Sequence, residues 1–167
     1  MTETRIQVPV ERVTFTTTKT FDDVLAGIYE GVSRPDLPAT VKGWNTASSY
    51  EEFEELATKA AGPSGLLQFL RLDQDAVLNK IPGRTPQRLV RLLVGNPYTM
   101  TLMTRHIAEA GSYAPVTLLV WEDGDEVRVA YDTTASLLEP YGNESALQVA
   151  RELDDKVITL LRRACAG

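Results

Sequence analysis

The sequence predicts a two-layer α+β domain, in which helices pack on one face of a mostly antiparallel sheet. Three observations predict this class. Residues 12–17 alternate in polarity and are rich in β-branched side chains, as in a half-buried strand. Residues 65–73 and 88–94 are apolar runs of strand length, and residues 116–132 have the pattern of a hairpin. With helical segments between these strands, the predicted order is β-α-α-β-β-α-β-β-α in a single domain of 167 residues.

The N-terminal part is predicted to hold an arm, the first strand and a helix. Residues 1–9 are expected to form either a loose arm or the lead-in to the first strand. Thr20 suits the N-cap of a helix over residues 21–32, because Asp22 and Asp23 in its first turn interact favourably with the helix dipole. Apolar residues then recur at helical spacing along one face of this segment.

An insertion over residues 33–63 is predicted to combine a long loop with an extra helix. Two prolines and a glycine predict the loop at residues 35–48. Trp44 lies within it, and it either pins the loop to the core or forms the wall of a pocket. Ser49 and Glu52 then form a capping box for the helix, which a Gly-Pro pair ends.

The central part is predicted to contain two interior strands and a capped helix. Residues 65–73 and 88–94 are apolar on both faces, which is typical of strands inside a sheet, and they are expected to pair in a hairpin-like way. Asn96 is a good N-cap and Pro97 suits the first helical position, so a helix over residues 97–110 follows.

The Asp123-Gly124 pair is predicted to set the register of the last hairpin. A two-residue type I′ turn there places Glu122 opposite Asp125. The pairs that then face the core are Val120 with Val127, Leu118 with Val129, and Val116 with Tyr131. After a connector, Asn143 caps a final helix whose apolar stripe is expected to cover one face of the sheet.

Composition excludes several classes of function. A net charge of −6 argues against binding to nucleic acid or to an anionic membrane surface. One cysteine, Cys165, and one histidine, His106, leave no Cys/His cluster for a metal, and the common nucleotide, hydrolase and zinc-protease motifs are absent. No metal and no cofactor is therefore expected. Without a signal-like apolar segment near the start, a reduced, cytoplasmic protein is expected.

Four short motifs resemble a known family. They are Gly95-Asn96-Pro97 opening a helix, Tyr113-Ala114-Pro115 before a strand, a strand ending in Tyr131-Asp132, and Arg151-Glu152-Leu153-Asp154 in the terminal helix. Over about residues 12–164 the chain resembles the domain-of-unknown-function family numbered 302. That resemblance implies an α+β domain that often self-associates, with no established reaction and no catalytic residues. The insertion at residues 33–63 departs from the family pattern.

Tyrosines at the ends of the predicted elements are the main candidates for a site. Tyr113 and Tyr131 fall at the same end of the hairpin, and Tyr98 lies in the first turn of the preceding helix. If helix and hairpin pack together, their phenols and the Asp132 carboxyl could converge at a pocket; alternatively, the tyrosines complete the core with hydroxyls in water. The helix start at Asn96 could also bind an anion through free backbone N–H groups.

The first functional hypothesis is a small-molecule-binding domain. Its predicted ligand-binding residues are Trp44, Asn96, Tyr98, Arg105, Tyr113 and Tyr131. A second hypothesis is a cofactor-independent enzyme of the isomerase or cyclase type, with His106, Tyr131 or Asp132 in proton transfer. A third is a homo-oligomeric interaction module. Under the first hypothesis, a homodimer formed through a sheet edge or a helix face is also expected.

Overall fold

The computed structural model describes residues 1–167 as six strands and seven helices. The strands are β1 (Arg12–Thr17), β2 (Val32–Ser33), β3 (Leu66–Asp73), β4 (Leu89–Gly95), β5 (Val116–Asp123) and β6 (Glu126–Asp132). The helices are α1 (Phe21–Gly31), α2 (Leu37–Thr46), α3 (Tyr50–Ala60), α4 (Asp75–Leu78), α5 (Pro97–Thr104), α6 (Thr134–Leu138) and α7 (Glu144–Cys165). Short 3₁₀ segments occupy Ala108–Ser112 and Glu139–Tyr141.

All six strands belong to one sheet in the order β1-β6-β5-β4-β3-β2. Every neighbouring pair is antiparallel except β2 with β3. The main core lies between one face of this sheet and the apolar stripes of α1 and α7, with Met103 of α5 also buried in it. The predicted α+β class, with helices on one face of a mostly antiparallel sheet, is confirmed.

The four predicted helix caps form as their side-chain chemistry requires. Thr20, Ser49, Asn96 and Asn143 each accept a hydrogen bond from a backbone N–H in the first turn of the helix that follows. The helix predicted from Pro97 to residue 110 is shorter than expected. It ends at Thr104, because Ile107 adopts an extended backbone that carries its side chain into the core.

The predicted register of the last hairpin is wrong by one position in the turn. Asp123 pairs with Glu126, so Gly124 and Asp125 form the turn. Gly124 has φ +65° whereas Asp125 has a negative φ, the pattern of a type II′ turn, which favours glycine first. Val120 therefore faces Val129 rather than Val127. The error shifts the pairing by two residues, so the predicted core face keeps its side chains and is buried.

β3 is an interior strand only at its beginning. β2 pairs with Leu66 and Leu67 alone, and the rest of β3 forms an open edge beyond β4. Leu70 and Leu72 are accordingly 45% and 37% exposed. The expectation of an interior strand over its full length is therefore wrong. The apolar run of β3 does not show that the neighbouring strand β2 is only two residues long.

The segment predicted as a loop at residues 35–48 contains α2. Asp36 caps this helix by accepting a hydrogen bond from the N–H of Ala39 at 3.0 Å, and Pro38 lies in its first turn. Trp44 is on α2 and packs against Phe69, with 6.2 Å between the ring centroids. The prolines that suggested a loop instead belong to a helix start.

Candidate ligand-binding cleft

Asn96 fastens the start of α5 to the turn that precedes β3. Its Oδ1 accepts a hydrogen bond from the N–H of Tyr98 at 2.9 Å, and its Nδ2 donates to the carbonyl of Gly65 at 3.0 Å. Both ends of the amide are therefore engaged within the chain. Asn96 positions the first turn of α5 against the loop after α3, and this position creates a cleft.

Tyr98 lies where α5 meets α3 of the insertion. Its ring centroid is 5.8 Å from that of Tyr50, and the Tyr50 hydroxyl forms a hydrogen bond of 2.7 Å with the hydroxyl of Thr101. The Glu54 carboxylate beside the phenol raises the pKa of Tyr98 above its ordinary value. Helix α3 thus places the Tyr50 hydroxyl and the Glu54 carboxylate near Tyr98.

A cleft of about 330 Å³ opens between the end of α3, the start of α5 and the middle of α7. We call it the α5 cleft. It is lined by Asn96 and Tyr98, by the apolar side chains of Leu102, Val149 and Leu153, and by the polar side chains of Thr58, Thr99, Glu152 and Lys156, among others. The Thr58 and Thr99 hydroxyls and the Lys156 ammonium make no hydrogen bond or ion pair within the chain. The cleft therefore combines an apolar floor with unengaged donors.

A second and larger depression, of about 610 Å³, adjoins the α5 cleft between α1 and α7. The two depressions share Pro63 and Lys156 in their linings. Glu30, Asp155 and Arg163 line the second depression, and none of them forms an ion pair within the chain. Lys156 thus lies at the boundary between the two depressions.

Tyr131 belongs to a buried polar cluster and is only 1% exposed. Its hydroxyl donates to the carboxylate of Asp154, which is 6% exposed, and lies 3.1 Å from the hydroxyl of Thr134. Asp154 also accepts hydrogen bonds from the N–H groups of Thr134 at 2.8 Å and Ala135 at 2.9 Å. Burial raises the pKa of both Tyr131 and Asp154. This cluster attaches the start of α6 to α7.

Tyr113 pairs with another tyrosine rather than with Tyr131 or Tyr98. Its hydroxyl is 3.0 Å from that of Tyr141, and the two ring centroids are 6.4 Å apart. The hydrogen bond to Tyr141, together with burial, raises the pKa of Tyr113 to about 12. The three predicted tyrosines therefore occupy three different surroundings, and they do not converge at one pocket.

The remaining predicted site residues lie apart from the α5 cleft. Trp44 is half-buried on α2. Arg105 and His106 are exposed after the end of α5. Asp132 forms a two-pronged ion pair with Arg12, with contacts of 2.6 and 2.8 Å. Of the six predicted ligand-binding residues, the structure brings only Asn96 and Tyr98 together.

No group of three or more His, Cys, Asp or Glu side chains is arranged so that it could hold a metal ion. No helix is both long enough and apolar enough to cross a membrane.

The family profile described as "Domain of unknown function DUF302" matches residues 43–164. The chain belongs to the DUF302 family. A search of curated proteins gives no match. Among solved structures, the chain is similar to an uncharacterized conserved DUF302 protein from Bacillus stearothermophilus, with a TM-score of 0.64 and 12% sequence identity. The similarity covers 92% of this chain and 97% of that one, and at this identity it concerns the fold.

The family match begins inside α2, so α3 lies within the part of the chain that resembles other DUF302 proteins. The predicted insertion at residues 33–63 therefore lies only partly outside the family region. Since α3 forms one wall of the α5 cleft, that wall belongs to the DUF302 region of the chain.

The roles of Asp154 and Lys156 on α7 were not predicted from the sequence. Asp154 follows Ala150 by four residues and precedes Val157 by three, so it lies on the buried stripe of the helix. A carboxylate in such a stripe indicates a buried hydrogen-bonding partner, and this signal could have been found. Lys156 gives no comparable signal, because it is one of several exposed charges on the helix.

Proposed function

We propose that this DUF302 protein binds a small, partly apolar molecule in the α5 cleft. The observation that carries the proposal is the combination of three unengaged donors, on Thr58, Thr99 and Lys156, with an apolar floor. Binding sites for small molecules are typically concave and largely apolar, with a few polar groups that fix the orientation of the ligand. The volume of about 330 Å³ is at the lower end of the usual range for such sites.

The lining favours a ligand with an oxygen acceptor at one end. Hydroxyl and ammonium donors lie on the α3, α5 and α7 walls, whereas Leu102 and Val149 offer only apolar contact. The one carboxylate of the lining, on Glu152, already accepts a hydrogen bond from Gln148 at 3.0 Å. A short monocarboxylate with an apolar tail satisfies both requirements. Its carboxylate would face Lys156 and its tail would cover Leu102.

Chemical-shift mapping of the whole chain tests the proposal with hexanoate as the probe and hexylamine as its cationic counterpart. Hexanoate should shift the amide resonances of Thr99, Leu102 and Lys156. Hexylamine should not shift them, because its ammonium carries the same positive charge as Lys156 and is repelled. Leu102→Trp fills the cleft and should abolish the hexanoate shifts. If neither probe shifts these amides, or if Leu102→Trp leaves the shifts unchanged, the proposal is wrong.

A matched pair of lysine variants separates the role of charge at the cleft from a general effect of net charge. Lys156→Ala should weaken hexanoate binding, since it removes the only cation in the lining of the cleft. Lys80→Ala changes the net charge equally at an exposed position outside the cleft. It should leave hexanoate binding unchanged. Equal weakening by both variants would show that Lys156 has no specific role.

The enzyme hypothesis has less support from the geometry. His106 is exposed, the Tyr131 phenol is enclosed with Asp154, and Asp132 is bound to Arg12. Tyr131 and Asp132 are consecutive residues of β6, so their side chains point to opposite faces of the sheet. The three proposed acid-base groups share no cavity in which a substrate could contact them together.

A further inference from the structure

The sheet face opposite α1 and α7 carries an apolar surface that neither helix covers; Trp44 of α2 packs only at its Phe69 end. We call it the open face. Residues directly opposite each other on neighbouring antiparallel strands share a face, so the register assigns its members. Leu70 faces Leu93, Arg91 faces Leu119, and Leu89 faces Trp121. With Leu72, which faces Arg91, six large apolar side chains lie together across β3, β4 and β5.

The open face is electrically balanced although the whole chain is acidic. The register places three arginines and three carboxylates on it: Arg12, Arg91, Arg128, Asp123, Glu126 and Asp132. Most of these charges are paired within the face, as between Arg128 and Asp123 at 2.9 Å and between Arg12 and Asp132 at 2.6 Å. The net charge of −6 therefore resides on other surfaces. Two copies of the chain can approach through the open face without bringing like net charges together.

The open face is also large enough for a stable contact between two copies. The five longer strands, spaced by about 4.8 Å and each with about seven residues rising about 3.3 Å, give a flat area of roughly 550 Å². Side-chain relief increases the accessible area, so the face is comparable with the roughly 800 Å² that one partner contributes to a standard interface. The apolar side chains occupy the β3, β4 and β5 part of this area, and a contiguous apolar patch on a protein surface commonly marks an interaction site.

We propose that the open face is the interface of a homodimer, in which a second copy of this chain packs its own open face on the first. A two-fold arrangement brings the apolar half, built from β3, β4 and β5, against its counterpart, because a two-fold interface uses the same patch on both subunits. Leu119 lies at the centre of β5 between Arg91 and Ala130, so it lies near the middle of the contact. The contact involves a sheet face, and it is independent of the α5 cleft.

Sedimentation of the full chain over about 1–300 μM, with variants that leave the core intact, tests this interface. The wild type should reach twice the 18.4 kDa of one chain. Leu119→Lys should weaken the dimer at least about tenfold, because it places a second cation beside Arg91 at the centre of the contact. Ile6→Lys, a matched change at an exposed residue of the N-terminal arm, should have no effect.

Trp121 provides an independent readout of the same face. In Trp44→Phe it is the only tryptophan of the chain, and its emission should shift to the red when the dimer is diluted into monomers. A wild type of 18.4 kDa at every concentration overturns the proposal, whether or not the face captures another protein. A dimer that tolerates Leu119→Lys, or whose Trp121 emission does not change on dissociation, also overturns it.

Discussion

Replacement of Asp154 should destabilise the fold, because its carboxylate holds three donors inside the protein. In Asp154→Ala the backbone N–H groups of Thr134 and Ala135 lose their acceptor. Each buried donor left without a partner costs about 1–3 kcal/mol, so the free energy of unfolding should fall by about 2–5 kcal/mol. Tyr131→Phe removes one hydrogen bond and leaves both backbone bonds in place. Its expected cost is about 1–2 kcal/mol.

Urea unfolding of Asp154→Ala, Tyr131→Phe and Asp155→Asn measures these differences. Asp155 is the next residue of α7 and is exposed, so its substitution should change the free energy of unfolding by less than about 0.5 kcal/mol. Hexanoate binding is measured on the same variants at temperatures where they are folded. A Tyr131→Phe protein of unchanged stability that no longer binds the ligand would refute the structural role given to Tyr131.

The pH dependence of stability tests the electrostatic part of this account. Burial raises the pKa of Asp154 in the folded state, so its stabilising contribution is complete below the unfolded-state pKa and is lost as the pH rises through the folded-state pKa. The stability advantage of the wild type over Asp154→Asn should therefore shrink as the pH rises from below the ordinary aspartate pKa of about 4 through the raised folded-state pKa of Asp154. An advantage that grows over this range would mean that hydrogen bonding to the carboxylate outweighs its burial.

Two further predictions concern packing and the second tyrosine pair. The pKa of Tyr113, about 12, exceeds its ordinary value, so the contribution of Tyr113 to stability should be lost between about pH 10 and about pH 12. Tyr141→Phe should lower this pKa in an ultraviolet titration. An unchanged pKa would exclude the hydrogen bond to Tyr141 as the cause of the shift. A Cβ added at Gly27 would lie 2.8 Å from the Cα of Ala164, so Gly27→Ala should force α1 and α7 apart. The free energy of unfolding, measured with urea, should then fall by about 1–3 kcal/mol. Unchanged stability would show that the two helices can separate freely.

The hairpin illustrates what the sequence can predict. Alternation along β5 and β6 identified the side chains that face the core, and this assignment depends only on parity. The pairing itself depends on which two residues make the turn, and both Asp123-Gly124 and Gly124-Asp125 preserve parity. The chain adopts the Gly124-Asp125 turn, because its first position needs a positive φ, which glycine adopts more readily than aspartate. A local backbone preference, invisible to the hydrophobic pattern, thus set the register.

The candidate cleft was only partly predictable, because its walls come from distant parts of the chain. Asn96 and Tyr98 were identified from a helix start, where cap chemistry is local. Thr58 and Lys156 join them only because α3 and α7 pack beside α5, a consequence of tertiary arrangement. The tyrosines, in contrast, were predicted to converge at one pocket and do not. Similar positions at element ends do not make side chains neighbours when one of them, Tyr131, points into the core.

Intermolecular nuclear Overhauser effects between bound hexanoate and the protein show directly whether the α5 cleft holds the ligand. If it does, the hexanoate methyl group should contact the methyl groups of Leu102, Val149 and Leu153, and Leu102→Trp should abolish these contacts. Contacts from bound hexanoate to Leu93 or Leu119 of the open face would instead show that the ligand binds outside the cleft.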